Sequence, residues 1–116
     1  MMTTQSIAAP ARRHAPPEHV HPRDVSLPAV LAALSDPTRM AIVQEIAASE
    51  DWERACGSFD VQVTKATLSH HFAVLRAVGL IEQRDVGPKR FSRLRRGEFR
   101  KRFPGLLELV IRESSN

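Results

Sequence analysis

The sequence predicts a mainly α-helical fold that carries one small β-hairpin. Three observations predict it. Apolar residues recur at helical spacing in several segments that begin at good N-caps, one such segment ends at a glycine, and a glycine-proline pair separates two short β-prone runs. The chain has 116 residues, of which 42% are hydrophobic and 26% charged, which is typical of one globular domain.

The first two predicted helices lie within residues 26–49. Ser26 can cap the first helix, which has a proline in its first turn. Asp36 is a good N-cap and Pro37 is favoured at the first helical position, so this pair is predicted to begin the second helix. Residues 50–63 show no consistent period. They could contain a short helix, but Gly57 interrupts it.

The clearest helix follows Thr64, a good N-cap, and is predicted to run over residues 65–78. Gly79 then suits the left-handed position that ends many helices. Two β-prone runs flank residues 86–88, which predicts a hairpin with about two or three turn residues. A final helical segment is predicted to break before Pro104, which can be the first residue of a last helix.

Residues 1–24 are predicted to be a disordered tail, and residues 25–116 the folded domain. Four of the eight prolines fall in the tail, with little apolar periodicity. Its histidines (His14, His19 and His21) could hold a metal loosely, but a solvated tail is the preferred interpretation. No apolar run reaches the ~18 residues of a membrane span, and no apolar segment follows a basic start. We therefore expect no export signal and a cytoplasmic location.

Charge is distributed unevenly along the chain, whose formal net charge is +4. Residues 26–64 contain two basic and six acidic side chains, whereas residues 84–102 contain nine basic and two acidic ones. Such asymmetry suggests that one end of the molecule binds a polyanion. A solvated charged surface is the alternative. The hairpin carries four of the basic residues, which would hold phosphates or enter a minor groove: Arg84, Lys89, Arg90 and Arg93.

The helix after Thr64 has two faces, because each residue advances about 100° around a helix axis. One sector is largely apolar and is predicted to face the core: Leu68, His71, Phe72, Leu75 and Val78. The opposite sector has small or polar side chains: Ala66, Ser69, His70, Ala73 and Ala77, with Lys65 and Arg76 on one flank. A face without carboxylates or bulky groups allows close approach to DNA.

The two adjacent histidines are predicted to have different roles. His70 points outward and can donate to a phosphate or a base edge, whereas His71 lies at the margin of the apolar face and is interpreted as a packed residue. Shared metal binding is disfavoured because ligands on one helix face need i, i+4 spacing. Lys65, Thr67 and Ser69, near the helix N-terminus, could form a phosphate site, although Thr67 could instead bond locally to the cap.

Helices followed by a basic hairpin are the arrangement of a winged helix-turn-helix, in which one helix enters the DNA major groove. The segment "ALSDPTRMAIVQEIA" resembles the second helix of ArsR-type (arsenic-repressor-like) regulators, and "TLSHHFAVLRAVGLIEQRDVGPKRFSRL" resembles their recognition helix and wing. The resemblance covers roughly residues 27–112. It implies a homodimeric repressor that binds a two-fold symmetric double-stranded DNA operator and is released by an effector.

The resemblance also implies roles for individual residues. Recognition-helix and wing positions that contact DNA in the family correspond to Lys65, Thr67, Ser69, His70, Arg76, Lys89 and Arg90. The first and last helices would form the dimer interface through apolar residues that could otherwise belong only to the core: Leu31, Leu34, Leu107, Val110 and Ile111.

The metal and thiol sites of the family's sensors are incomplete in this chain. Many relatives have a Cys-x-Cys pair where this sequence has Cys56 alone, and others have histidine ligands on the last helix, where this sequence has none. No metal site or cofactor is therefore predicted. Cys56 could be a lone thiol sensor or could pair across the dimer. A small buried apolar residue is the preferred interpretation.

Two other classes of function compete with DNA binding. The domain could be a protein-interaction module, but such a surface usually exposes aromatic or large apolar anchors, and the outward helix face shows alanine, serine and histidine. An enzyme is disfavoured because the sequence offers no phosphate-binding glycine loop, paired carboxylates, or nucleophile with a base and an orienting group. No catalytic residue is predicted.

Overall fold

The computed structural model describes residues 17–113. Within them the chain forms five α-helices and a three-stranded antiparallel sheet. In chain order the elements are α1 (Leu27–Leu34), α2 (Pro37–Ala47), β1 (Arg54–Ala55), α3 (Lys65–Ala77), β2 (Ile81–Val86), β3 (Lys89–Leu94), α4 (Arg96–Arg102) and α5 (Leu106–Arg112). Single 3-10 turns occur at Pro22–Asp24 and Cys56–Ser58. This architecture is consistent with a winged helix-turn-helix.

The three predicted N-caps are confirmed. Ser26 accepts a hydrogen bond from the first turn of α1. A carboxylate oxygen of Asp36 accepts from the backbone of Thr38 at 2.8 Å in α2, and Thr64 Oγ1 accepts from the Thr67 N–H at 3.1 Å in α3. Each cap satisfies an amide that has no acceptor within its helix, which fixes where the helix begins.

The predicted hairpin is confirmed and has a two-residue turn. Val86 pairs with Lys89, so only Gly87 and Pro88 lie outside the ladder. Gly87 has φ 61, a conformation that costs glycine little, while Pro88 is restricted to negative φ by its ring. Positive φ at the first turn residue alone defines a type II′ turn, whose twist matches that of the two strands.

Residues 50–63 form a strand and one 3-10 turn instead of the short helix considered from sequence. The two residues of β1 pair with β3, with Arg54 opposite Ser92, and the Trp52 N–H also donates to the Ser92 carbonyl at 3.1 Å. Trp52 has φ 65, which turns the chain into this pairing. Trp52 and the two residues of β1 are therefore held by β3, and the strand order of the sheet is β1-β3-β2.

One apolar core joins all five helices to the base of the hairpin. Phe99 of α4, Ile42 of α2, Leu75 of α3 and Ile81 of β2 are almost fully buried in it. None of the helices in residues 17–113 is long and apolar enough to cross a membrane. The chain breaks between α4 and α5 as predicted, but Pro104 is not the first residue of α5. Left-handed Gly105 (φ 86) precedes that helix instead.

The predicted tail is wrong for its last residues, because residues 17–24 pack against the domain. Pro22 is buried under Gly79, where an added Cβ would lie 2.9 Å from the proline backbone. Val20 N–H donates to the Arg76 carbonyl, and His19 Nε2 accepts from the Gln83 N–H at 2.9 Å. The segment thus covers part of the outer edge of β2, which has no neighbouring strand on that side in the described part of the chain. Residues 1–16, including His14, lie outside the described residues.

The His19 contact predicts a pH-dependent stability. Burial, followed by the nearby Arg76 charge, lowers the pKa of His19 from its usual 6.5. The unfolded chain therefore binds a proton at pH values where the folded chain keeps His19 neutral, so the free energy of unfolding should fall as the pH drops below about 6.5. His19→Gln should lose less stability than the wild type between about pH 7.5 and pH 5.5.

Urea unfolding at the two pH values measures this difference. His70→Gln is the matched control, because His70 is exposed and has no described hydrogen bond. That variant should keep the wild-type pH dependence. Parallel pH curves for His19→Gln and the wild type would show that His19 does not couple protonation to folding.

Candidate nucleic-acid interface

The two predicted faces of α3 are confirmed. On the inner side His71, Phe72, Leu75 and Val78 are buried, and Leu68 is half-buried. The outer side exposes Ala66, Ser69, His70 and Ala77, with Ala73 half-buried. Residues 65–77 contain no aspartate or glutamate. A helix with this outer face can lie against a polyanion without charge repulsion or steric obstruction.

The N-terminal turn of α3 combines exposed donors. Lys65, Thr67 and Ser69 are all exposed. Thr67 forms the local bonds considered from sequence, because its N–H donates to Thr64 Oγ1 and its hydroxyl oxygen accepts from the Thr64 hydroxyl at 2.9 Å. The Thr67 hydroxyl proton remains available to a further acceptor. This hydroxyl, the free first-turn amides and the Lys65 ammonium together provide hydrogen-bond donors and positive charge that can bind a phosphate.

His71 holds α3 in place from behind, as the packed interpretation predicted. Arg39 Nη1 lies 3.1 Å from His71 Nδ1, and Arg39 Nε donates to the Ala33 carbonyl at 2.7 Å. A guanidinium can only donate, so His71 Nδ1 accepts and its ring proton lies on Nε2. Arg39 therefore joins the C-terminal end of α1 to the middle of α3. Residues 17–113 contain no group of three or more His, Cys, Asp or Glu side chains that could hold a metal.

The hairpin presents Lys89 as an exposed cation without an ion pair in the described chain. Lys89 lies beside the turn. Arg90, its neighbour, forms a two-point ion pair with Asp85, at 2.7 and 3.2 Å, which raises the pKa of the arginine. Of the two wing positions carried over from sequence, Lys89 is free to reach a phosphate and Arg90 is partly neutralised.

The other two hairpin arginines bind within the protein. Arg93 Nη2 donates to Glu82 at 2.6 Å, and Arg84 stacks on the Trp52 ring with 4.4 Å between the guanidinium carbon and the ring centroid. Arg84 remains exposed. Stacking covers one face of its guanidinium, and the N–H donors in the guanidinium plane stay available to other partners. Sequence reasoning missed Trp52, since its positive φ and its position beside the hairpin depend on tertiary contacts.

Arg76 lies at the junction of α3 and the hairpin. Its Nε donates to the Glu18 carbonyl at 3.0 Å and its Nη1 to the Gln83 side-chain oxygen. Desolvation, and then the charge of Arg90, lower the pKa of Arg76. The residue predicted to contact DNA is thus half-buried and has two of its three nitrogens engaged by the fold.

Several basic residues that contributed to the charge asymmetry lie in or beside α4 and have structural partners. Arg96 and Arg102 donate to the backbone carbonyls of Ala47 and Val25, each at 3.0 Å. Arg95 pairs with Glu98 and Arg100 with Glu108. Arg96, Arg100 and Arg102 therefore join α4 to neighbouring segments, and Arg95 pairs within the start of α4. The cationic surface beside α3 is smaller than the sequence suggested.

The five residues assigned to the dimer interface divide into two groups. Leu34, Leu107 and Val110 are buried in the core of the single chain. Leu31 and Ile111 are exposed by 49% and 37%. Two further exposed leucines lie on the same helices, and sequence reasoning missed both: Leu27 and Leu109. Leu31, Leu106 and Leu109 line a groove between α1 and α5, so these two helices carry an apolar surface.

Comparison with known proteins found a similarity, which lies in the central part of the chain. A search of curated proteins found no match. Residues 34–84 match a family model described as a helix-turn-helix domain, and this stretch includes all of α2, β1 and α3. The chain is therefore similar, from the end of α1 into β2, to a helix-turn-helix domain, a kind of domain typical of DNA-binding regulators.

Proposed function

We propose that the protein is a sequence-specific transcriptional regulator that binds double-stranded DNA. The observation that carries this proposal is the exposed, carboxylate-free outer face of α3 beside a hairpin whose turn presents a free cation. The alignment of residues 34–84 with a helix-turn-helix domain supports it. In this arrangement α3 enters the major groove and the hairpin lies along the backbone of the adjacent minor groove.

Each exposed side chain then has a defined task. Ser69 and His70 lie on the outer face and read base edges, while Lys65, Thr67 and the first-turn amides of α3 hold a phosphate. Lys89 contacts a second phosphate from the hairpin. The alanines of the outer face let the helix backbone approach the bases, because a methyl group occupies little of the groove.

The regulator is proposed to be an ArsR-type repressor that binds as a homodimer. The apolar surface on α1 and α5, with Leu31 and Leu109 strongly exposed, supports self-association because a second copy would remove it from water. Two copies of α3 would then read a two-fold symmetric operator and block a promoter. An effector releases the complex by changing the spacing of the two recognition helices.

Two alternatives have less support. A protein-interaction module would need large anchors on α3, and the outer face has none within the described residues. A redox sensor would need a reactive thiolate at Cys56. Burial raises the pKa of that thiol, so the neutral form dominates at neutral pH. Cys56 is half-buried, and its Sγ accepts a hydrogen bond from Gln83 Nε2.

Selection of bound fragments from the protein's own genome, followed by fluorescence anisotropy, tests the proposal. Ser69→Ala and His70→Ala should each weaken binding to the selected operator by about 1–3 kcal/mol, with little effect on binding to unrelated DNA. Ala77→Ser, on the same face but at the far end of α3, is the control and should bind like the wild type. If no fragment is enriched, the protein is not a sequence-specific DNA binder.

Lys89→Gln is expected to weaken binding to operator and unrelated DNA alike. A phosphate contact carries no sequence information, and its loss should reduce the slope of log K against log salt by about one. Titrations at several salt concentrations measure the slope. Lys101→Gln, an exposed lysine on α4, should leave it unchanged. A Lys89→Gln variant that loses specificity while its salt slope stays unchanged would contradict this role.

A further inference from the structure

A cleft of about 320 Å³ lies between α3 and the hairpin. One flank of α3 forms one wall, the face of the hairpin that points toward α3 forms the second, and the turn at Cys56–Ser58 closes one end. Sites of this size, about 300 Å³ and above, hold small molecules when they combine apolar walls with a few directed polar groups. Two of the residues proposed above to contact DNA, Lys65 and Ser69, also line this cleft.

The charged side chains that line the cleft are all cationic. Its lining includes Lys65, Arg76 and Arg90, and no carboxylate. Asp85, which does not line the cleft, binds Arg90 from the hairpin, so Arg90 is partly neutralised. Within the described chain, Arg76 Nη2 and Arg90 Nη1 have no hydrogen-bond partner. Both guanidiniums line the same cleft, and burial, followed by the charge of Arg90, lowers the pKa of Arg76. An anion between them would relieve this repulsion.

The remaining wall is apolar. Phe72 is buried, and Leu68 and Cys56 are half-buried beside it. Gln83 cannot readily turn into the cleft, because its side-chain oxygen accepts from Arg76 and its nitrogen donates to Ser92 Oγ and Cys56 Sγ. The cleft therefore offers cationic donors at one side and apolar contact at the other. A free inorganic anion would use only the first of these.

We propose that the cleft binds a small carboxylate that carries a compact apolar group, and that this ligand is an effector of DNA binding. The carboxylate pairs with the guanidiniums of Arg76 and Arg90, and the apolar group packs on Phe72 and Leu68. Occupancy neutralises cations that attract DNA and alters the junction between the recognition helix and the hairpin. By linkage, DNA must weaken ligand binding by the same factor as the ligand weakens DNA binding.

Sodium benzoate tests the binding part of the proposal without DNA. Titration followed by the amide resonances of the cleft should show saturable binding, whereas benzyl alcohol, which lacks the charge, and inorganic phosphate, which lacks the apolar group, should each bind at least about tenfold more weakly. Equal binding of benzoate and benzyl alcohol would overturn the role of the arginines. Equal binding of benzoate and phosphate would overturn the role of the apolar wall.

Gly57→Leu tests the location, because Gly57 lines the cleft and an added Cβ meets no atom within 4 Å. The leucine should occupy the cleft and weaken benzoate binding by at least about tenfold. Gly97→Leu is the matched control. Gly97 lies on α4, away from the cleft, and also has open space at its Cβ. Unchanged benzoate binding in Gly57→Leu, with a wild-type melting curve, would overturn the assignment.

The regulatory part of the proposal rests on the proposed function and has a separate readout. Benzoate should lower operator affinity in the wild type and in Gly97→Leu, but not in Gly57→Leu. If benzoate saturates the cleft while operator affinity is unchanged, the effector role is wrong and the binding site stands. If no DNA is bound in the absence of benzoate, the proposed function fails, and the benzoate titrations without DNA still decide whether the site exists.

Discussion

Leu109→Glu is expected to convert the proposed dimer into a monomer and to weaken operator binding by about 10²–10⁴-fold, the usual gain from two linked binding modules. Leu109 is exposed by 59%, the largest exposure among the bulky apolar side chains that the structure describes. It also lines the groove between α1 and α5. A carboxylate there would have to be buried without a partner in the proposed interface, which is strongly unfavourable.

Light scattering after size-exclusion chromatography measures the mass, and fluorescence anisotropy measures operator affinity. Leu109→Met is the matched control, since it conserves volume and hydrophobicity and should remain dimeric. Because Leu109 is exposed in the single chain, both variants should fold normally by circular dichroism. A Leu109→Glu variant that keeps the wild-type mass and affinity would place the subunit interface elsewhere.

Gly79→Ala is expected to destabilise the protein by about 2–5 kcal/mol, the sum of an unfavourable backbone conformation and a steric clash. Gly79 has φ 75, and an added Cβ would lie 2.9 Å from two backbone atoms of Pro22. Backbone cannot move aside as a flexible side chain can. The 17–24 segment would have to leave the end of α3, which would also disturb the hydrogen bonds that hold Arg76.

Gly87→Ala separates the two contributions to this effect. Gly87 has a similar φ of 61, but no atom lies within 4 Å of its added Cβ. Its substitution should therefore show the backbone term alone, about 1–2 kcal/mol. Urea unfolding curves give both values. Equal losses in the two variants would mean that the 17–24 segment accommodates the added methyl group at no cost in stability.

Local features of the sequence were sufficient to predict most of the helices and the hairpin. The caps at Ser26, Asp36 and Thr64 were predictable because the hydrogen bonds of each cap reach only two or three residues along the chain. The turn at Gly87 and Pro88 is likewise determined by the conformations those two residues permit. The faces of α3 follow from helical periodicity alone, so the exposure of Ser69 and His70 was predictable.

The partners of the cations were not predictable in this way. The family resemblance assigned Arg76 to DNA, but its guanidinium donates to the Glu18 carbonyl, 58 residues away in the sequence, and to the Gln83 side chain in β2. Arg96 and Arg102 raised the local net charge, yet they donate to carbonyls in other elements. A count of charges in a sequence segment includes such arginines, although their contacts with other elements leave them less available to an external anion. Those contacts cannot be seen in the sequence.

By itself the sequence determined where the first three helices begin, which face of α3 is free of carboxylates, and that a basic hairpin follows it, since all three depend on residues within a few positions of one another. Only the tertiary structure decided that residues 54–55 join the sheet, that residues 17–24 cover its edge, and that a cationic cleft separates α3 from the hairpin. These features arise from contacts between distant segments, and long-range pairing has no fixed spacing in a sequence.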